Sequence, residues 1–417
     1  MVKKLMLAIA VVALAAPAFA AVQNVKVGGS IVTTSIIRDN FDIATNTTPG
    51  RQNEILAQTR LAVNADLTDN VSTAVGLLNE NLWGNSSNTV SLEYANVTMK
   101  EFMYAPLSVT IGRQTLAYGN QLIIGNSSTG AYDNQYSDLA YSTGFDGIKA
   151  VLKYDPLTID LFAVRVANAS TTASNINGTH DNTNLFGVNA NYKLGDKMST
   201  VVEGYVFAVT QDGTISGLSQ AVYVPGLRVS TNPIEGLNVQ IEAAYQGGRI
   251  NNTVSGSNVN DDRNAFAFQG MVNYALPVLK DMKPVLGLEY TYLSGTGTGD
   301  RSNGKNWNTM FENQNSGRIY DAIVTSNTSV QRAGLSAEVS PIKDLTTKAS
   351  VTGLWDATKA AANTSKYRGA EADLDATYAY TEDVKFGVSA GYFFSGKAYA
   401  PGTKDASQLL SSVSVAF

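Results

Sequence analysis

The side chains able to do chemistry in this sequence are mostly carboxylates and guanidiniums spaced two apart. Glu371, Asp373 and Asp375 put three acids on alternate positions, with Ala370, Ala372, Leu374 and Ala376 interleaved. Arg60, Arg228 and Arg332, and Glu93, Glu242, Glu289 and Glu338, likewise stand opposite the apolar residues of their own segments. In an extended chain alternate residues share a face, so these sets put charge on one side and hydrocarbon on the other. Hydrolysis needs more, an imidazole held near a nucleophile or a carboxylate. The chain has one histidine, His180, within Asn177-Gly178-Thr179-His180-Asp181-Asn182, a stretch that reads as a solvated loop. Cysteine is absent, which excludes disulfides and thiolate metal sites. No His and carboxylate cluster has metal-ligand spacing, and Asn260-Asp261-Asp262 lacks the regular spacing of a calcium loop. The expectation is a protein that is not an enzyme and carries no cofactor.

The elements that must hold these charges are strands. From Val25 onward, short segments alternate apolar and polar at period two. Phe186, Val188, Ala190, Tyr192 and Leu194 interleave with Gly187, Asn189, Asn191 and Lys193. Val239, Ile241, Ala243 and Tyr245 repeat the pattern, as do Phe266, Phe268, Val272 and Tyr274, and Leu286, Leu288, Tyr290 and Tyr292. A soluble sandwich would also alternate, and the connections decide between the two. Tight turns such as Thr68-Asp69-Asn70, Asp155-Pro156-Leu157 and Gly195-Asp196-Lys197 are followed by longer polar loops at 120–142, 170–182, 250–262 and 295–329. Short turns at one end and long loops at the other are the pattern of a transmembrane β-barrel. The count is about eighteen strands, with sixteen as the alternative. The final strand, Gln408 to Phe417, puts Leu409, Val413, Val415 and Phe417 on one face. Its terminal aromatic is the kind of signal read by the outer-membrane barrel assembly machinery.

The N-terminus supplies the compartment. Lys3 and Lys4 precede an apolar run from Leu5 to Leu14 and the small-residue site Ala18-Phe19-Ala20, the layout of a secretory signal peptide. A spanning helix would need about 20 apolar residues, and Pro17 cuts the run short. The expectation is a signal peptide over 1–20, cleaved near Ala20, and a single barrel domain over 21–417 in the outer membrane of a Gram-negative-type bacterium. Removing Lys3 and Lys4 takes the formal charge from −5 to about −7, which speaks against nucleic acid as a partner. Outer-membrane lipid and small hydrophilic solutes remain as partners.

A Lys or Arg facing lipid at mid-depth costs about 2–4 kcal/mol, so the charged faces are assigned to the lumen. The predicted pore-lining set is Arg60, Glu93, Arg113, Arg228, Glu242, Glu289, Arg332, Glu338, Glu371, Asp373 and Asp375. Arg113 shares a phase with Val109 and Ile111, and a bulge at Gly112 is invoked to turn it inward. Ile159, Leu161, Phe162, Val164 and Arg165 are apolar on both phases and leave that strand unassigned. The lumen so inferred is mixed in sign, and a barrel of this size holds an aqueous channel.

The stretch Ile111-Gly112-Arg113-Gln114-Thr115-Leu116-Ala117-Tyr118-Gly119-Asn120-Gln121 resembles the Gly-Arg-Gln and Tyr-Gly-Asp-Gln signature of the alginate-export family, with Asn120 in the place of its Asp and Leu122 in that of its following Arg. Phe145-Asp146-Gly147, Tyr292-Leu293-Ser294-Gly295, Glu371-Ala372-Asp373-Leu374 with Thr377-Tyr378, and Phe393-Phe394-Ser395-Gly396 are similar to its later landmarks, in the same order. The resemblance implies an eighteen-stranded monomeric barrel and the export of an acidic polysaccharide. The charge pattern favours a porin passing small hydrophilic solutes by diffusion, with 120–142, rich in Tyr, folding inward as a constriction. A dedicated oligosaccharide or organic-acid channel and a surface scaffold with adhesive loops are the alternatives.

Overall fold

A computed structural model describes residues 23–41, 50–85, 89–125, 138–141, 144–170, 180–211, 220–254, 257–297, 303–314, 317–323, 328–359 and 365–417. The signal peptide and its cleavage site lie outside the described residues. Eighteen strands, rather than sixteen, form one sheet. They are β1 (Gln23–Asp39), β2 (Gln52–Thr68), β3 (Val71–Leu82), β4 (Val90–Met99), β5 (Leu107–Gln114) and β6 (Phe145–Tyr154). The ring continues with β7 (Leu157–Ser170), β8 (His180–Lys193), β9 (Val201–Gln211), β10 (Gln220–Ile234), β11 (Leu237–Val254) and β12 (Ser257–Ala275). It ends with β13 (Val285–Leu293), β14 (Val330–Ile342), β15 (Leu345–Asp356), β16 (Tyr367–Ala379), β17 (Val384–Ser395) and β18 (Ala406–Ala416). Each strand pairs antiparallel with its sequence neighbour, and β1 pairs with β18 from Ser30–Ala416 to Asp39–Ser407. Closure leaves no sheet edge, which a barrel in lipid requires because hydrocarbon cannot satisfy a free N–H or C=O. Phe417 completes the seam, its N–H donating to the Gly29 carbonyl at 3.1 Å and its carbonyl accepting from the Gly29 N–H at 2.9 Å.

The outward face is the apolar set. Leu286, Leu288 and Tyr290 of β13 are 46, 52 and 39 % exposed to what is lipid in the membrane, while their alternate neighbour Thr291 is fully buried. Aromatics mark both rims. Tyr104 and Tyr154 share a hydrogen bond of 3.2 Å beside the short turns, and Phe266 stacks on Tyr292 near the long loops.

Two expectations need correction. The segment 250–262 is not a loop, because β11 and β12 stay paired out to Val254–Ser257. His180, read as a loop residue, opens β8 and pairs in the backbone ladder with Ser170, the last residue of β7; 171–179 lie outside the described residues. Polar residues read as loop here because a hairpin that projects beyond the bilayer has no lipid to face, and the apolar half of the alternation disappears.

A constriction built from two inward-folded loops

The β5–β6 connection enters the lumen immediately after Gln114. Its Tyr118 ring stacks on Phe162 of β7 at 5.4 Å and lies 5.5 Å from Phe207 of β9. The Tyr118 hydroxyl donates to Asp160 at 3.2 Å, and burial, with the Asp160 charge beside it, pushes the phenol well above its ordinary range. The strand that read as apolar on both phases is thereby explained. Phe162 and Val164 face inward but lie under this loop, in one apolar core with Leu116, Leu122 and Ile124.

The next two residues clamp the loop to the wall. The Gly119 N–H donates to Glu203 at 3.1 Å and the Asn120 N–H to Glu242 at 3.0 Å. Gly119 adopts φ +58°, and a Cβ there would meet the Glu242 carboxylate at 2.9 Å, so both conformation and space require glycine. Arg228 closes the clamp, donating from Nε to Asn120 Oδ1 at 2.7 Å, from Nη2 to Gln240 at 2.7 Å and from Nη1 to Glu203 at 3.3 Å. Asn120 Nδ2 is buried without an acceptor, so the amide uses only the oxygen that an Asp would also offer.

The β13–β14 connection folds in from the opposite side of the site. A single 3-10 turn (Asn303–Lys305) leads to Trp307, which is 2 % exposed. Asn308 exchanges two hydrogen bonds with Gln246 of β11, at 2.6 and 2.9 Å, and Arg263 of β12 donates to the Asn306 carbonyl. The two loops then join. Ile124 and Phe311 form a parallel bridge, with Phe311 N–H donating to Ile123 O at 3.1 Å and Gly125 N–H to Phe311 O at 2.7 Å. Gln314 ties this junction to the wall, donating to Asn120 O at 2.6 Å and accepting from Gln269 at 2.6 Å and Arg332 at 2.9 Å.

The far end is held by one carboxylate. Glu371 of β16 is fully buried and accepts from the Ile319 N–H at 2.6 Å and the Tyr320 N–H at 2.8 Å, at the start of a single helical turn, α1 (Tyr320–Ile323). The Tyr320 hydroxyl accepts from Arg368 at 2.6 Å. Burial pushes its phenol up to about 12, against the pull of the Arg368 charge, so it stays protonated at physiological pH.

Two polar cavities flank the constriction. One, of about 710 Å³, lies along the inner face of β2–β5, lined by Arg60, Asn64, Glu93, Asn96, Thr110 and Tyr141 among others. Arg60 pairs with Glu93, Nε to Oε2 at 2.9 Å, and its guanidinium lies 4.6 Å from the centre of the Tyr141 ring. The other, of about 210 Å³, includes Glu289, Arg318, Arg332, Lys348, Asp373 and Asp375. Arg318 pairs with Asp375 at 3.2 Å and Arg332 with Glu289 at 3.5 Å.

The predicted lining residues thus separate by role. Arg60, Glu93, Glu289, Asp373 and Asp375 border cavities. Arg228, Glu242 and Glu371 are spent on holding loops, and Arg332 does both. Glu338 is exposed and lies across from Lys348. Arg113 is placed outside, a correction. Gly112 has φ +116°, yet pairing runs unshifted from Met99–Val109 to Ala95–Arg113, so the phase is never flipped. Arg113 keeps the outward phase of Ile111 and meets Asp146 of β6. Reading the sequence also missed Arg38, which is buried and donates to Gln408 at 2.7 Å and to Asp138, and the Arg368–Asp356 pair at 2.7 Å. Asp356 ends β15 and Arg38 is the last residue but one of β1, where too few flanking residues remain to set a phase. Among the described residues no group of three or more His, Asp or Glu is arranged to hold a metal ion.

A closed eighteen-stranded barrel with an apolar outer band and a polar lumen narrowed by its own outer loops is an outer-membrane channel architecture. The chain belongs to the alginate export family, whose model matches residues 23–411. Solved structures of Pseudomonas aeruginosa outer-membrane proteins share the fold. OccK11 (OpdR) superposes with a TM-score of 0.60 at 11 % identity, over 94 % of this chain and 96 % of that one. OprD gives 0.59 at 9 % identity, over 94 % and 95 %. OpdK, solved with vanillate, gives 0.59 at 8 % identity, over 94 % and 98 %. Among curated proteins none matches the sequence.

Proposed function

We propose that the protein is a porin, through which small hydrophilic solutes cross the outer membrane by passive diffusion, and that it performs no catalysis. The observation that carries this reading is the polar cavity beside the constriction, where the wall of β2–β5 offers Arg60, Glu93 and neutral polar side chains to water. The path follows that wall. From β7 to β17 the lumen wall anchors the two loops and leaves open the smaller cavity along β13–β16.

The charge pairing supports small solutes over a polyuronate. A polyanion is drawn through a pore by an uncompensated run of cations. Here Arg60, Arg228, Arg318, Arg332 and Arg368 each pair with a carboxylate. A more selective version, a channel for an organic acid, has one observation in its favour. Arg60 set against the Tyr141 ring joins a cation to an aromatic face, a combination suited to an aromatic carboxylate such as the vanillate held by OpdK. Export from the cytoplasm through the 1–20 segment, and assembly through the strand ending at Phe417, complete the proposal.

Refolded protein in a planar lipid bilayer tests it. Ohmic open-channel current with weak ion selectivity is expected, and absence of any open-channel current overturns the reading. Vanillate that blocks the current saturably would favour the selective version.

A further inference from the structure

The outer surface of β5–β9 breaks the apolar band where it should be closing. Arg113, Asp146, Arg165, Asn184 and Thr210 are successive cross-strand partners across five strands. All five share the outward phase, set by Ile111, Ile148, Leu161, Phe186 and Val206, which are 40–52 % exposed. Arg113 grips Asp146 with both arms of its fork, Nε to Oδ1 at 2.8 Å and Nη2 to Oδ2 at 2.7 Å, and donates from Nη1 to the Leu92 carbonyl at 3.0 Å. Arg165 flanks Asp146 on the other side and makes no side-chain hydrogen bond or ion pair among the described residues. Among those residues the row holds two guanidiniums and one carboxylate, leaving one cation in excess.

Depth decides what this row meets. Asp146 stands eight residues above Tyr154 in β6. At about 3.3 Å per residue and a tilt of about 40°, that is roughly 20 Å up an apolar band about 25 Å tall. A third of the way round the barrel Phe266, eight residues from Tyr274 along β12, fills this level with a ring stacked on Tyr292. Cations cost little at the interface, and the anionic groups of membrane lipid lie there. A guanidinium fork matches phosphate oxygens bidentately.

We propose that this row is a binding site for a phosphate group of outer-leaflet lipid. Arg165 donates to the phosphate oxygens, Asn184 and Thr210 add polar contacts beside it, and Asp146 with Arg113 fixes the floor of the site. The site is independent of conduction through the lumen.

Native mass spectrometry of the folded barrel in detergent, with bisphosphorylated or dephosphorylated lipid A added, tests the assignment. Retention of the phosphorylated lipid at least about tenfold above the dephosphorylated one is expected, as is a loss of about tenfold in Arg165→Gln, the scale of one charge-assisted hydrogen bond. Asn184→Asp, which sets a second acid beside Arg165, should weaken retention in the same direction and serves if Arg165→Gln does not fold. Inorganic phosphate at millimolar concentration should not displace the lipid. Equal retention of both lipids, or retention unchanged in the variants, overturns the proposal. So does displacement by free phosphate, or a variant whose only effect is to dissociate copies of the chain.

Discussion

Replacing Glu371 by Ala should loosen the constriction without unfolding the barrel. In the native chain one carboxylate accepts from two buried N–H groups, Ile319 at 2.6 Å and Tyr320 at 2.8 Å. The alanine leaves both donors without a partner, and a buried unsatisfied donor costs about 1–3 kcal/mol, so the docked loop loses roughly 2–6 kcal/mol. Asp373 is a like-charged neighbour two residues away on the same face, and relief of that repulsion offsets part of the loss. The lower end, about 2 kcal/mol, corresponds to a ~30-fold shift in the ratio of docked to undocked loop. The backbone ladder of β16 with β15 and β17 is untouched by the change. Single-channel recording reads the effect directly. Wild type should hold one steady open level, while Glu371→Ala should make excursions to a larger conductance with an occupancy up about 30-fold. Glu371→Gln keeps one acceptor oxygen and should fall between them. Conductance and current noise equal to wild type, in a variant whose gel mobility shows a folded barrel, would refute the latch.

The clamp at the other loop should respond similarly. Tyr118→Ala removes a ring packed against Phe162 and Phe207, a loss on the order of 3 kcal/mol for a buried aromatic, and larger, noisier conductance is expected from the same recording. The Arg60–Glu93 pair offers a test by sign. Arg60→Gln leaves an acid facing the cavity and should move the reversal potential in a salt gradient toward cations, whereas Glu93→Gln should move it toward anions; shifts of the same sign would contradict the assigned path. Asp196, in the β8–β9 turn, accepts from the Thr200 N–H at 2.8 Å and from its hydroxyl at 2.7 Å. The backbone bond first, then the hydroxyl, holds its carboxyl below the usual carboxylate range. A depressed folded-state value contributes stability that is present above the unfolded value, about 3.9, and is lost as pH falls through the lowered one. NMR titration of Asp196 should give a midpoint below that of a free Asp side chain, and a midpoint at or above it would remove the contribution.

The barrel was legible in the sequence because lipid imposes a strict alternation, and Leu286, Leu288 and Tyr290 record it residue by residue. The constriction was not, because the irregular segments after Gln114 and Leu293 have no period from which a path can be read. One signal of it was present. Phe162 and Val164 made β7 apolar on both phases, which in a wall strand means that something covers the lumen side. Another was the stretch Tyr118-Gly119-Asn120, whose resemblance to a family motif marked the residues that turned out to form the clamp. Phase also has limits near strand ends. Arg113 is the last residue but one of β5, and cost alone favoured turning it inward, since a charge near the interface is cheap where one at mid-depth is not. Glu371 shows a further limit, because parity tells which face a carboxylate is on but not whether water or a folded loop meets it.

Solutes that pass along the inner wall of β2–β5 would meet a single thiol introduced there, and the chain has no cysteine of its own to interfere. Asn96 lines the cavity there, and its neighbour Val97 faces lipid at 37 % exposure. A charged, water-soluble methanethiosulfonate added to Asn96→Cys channels in a bilayer should reduce the open-channel current stepwise, and Val97→Cys channels should be unaffected. Full current after complete modification of Asn96→Cys, confirmed by mass, would show that the ions take another route.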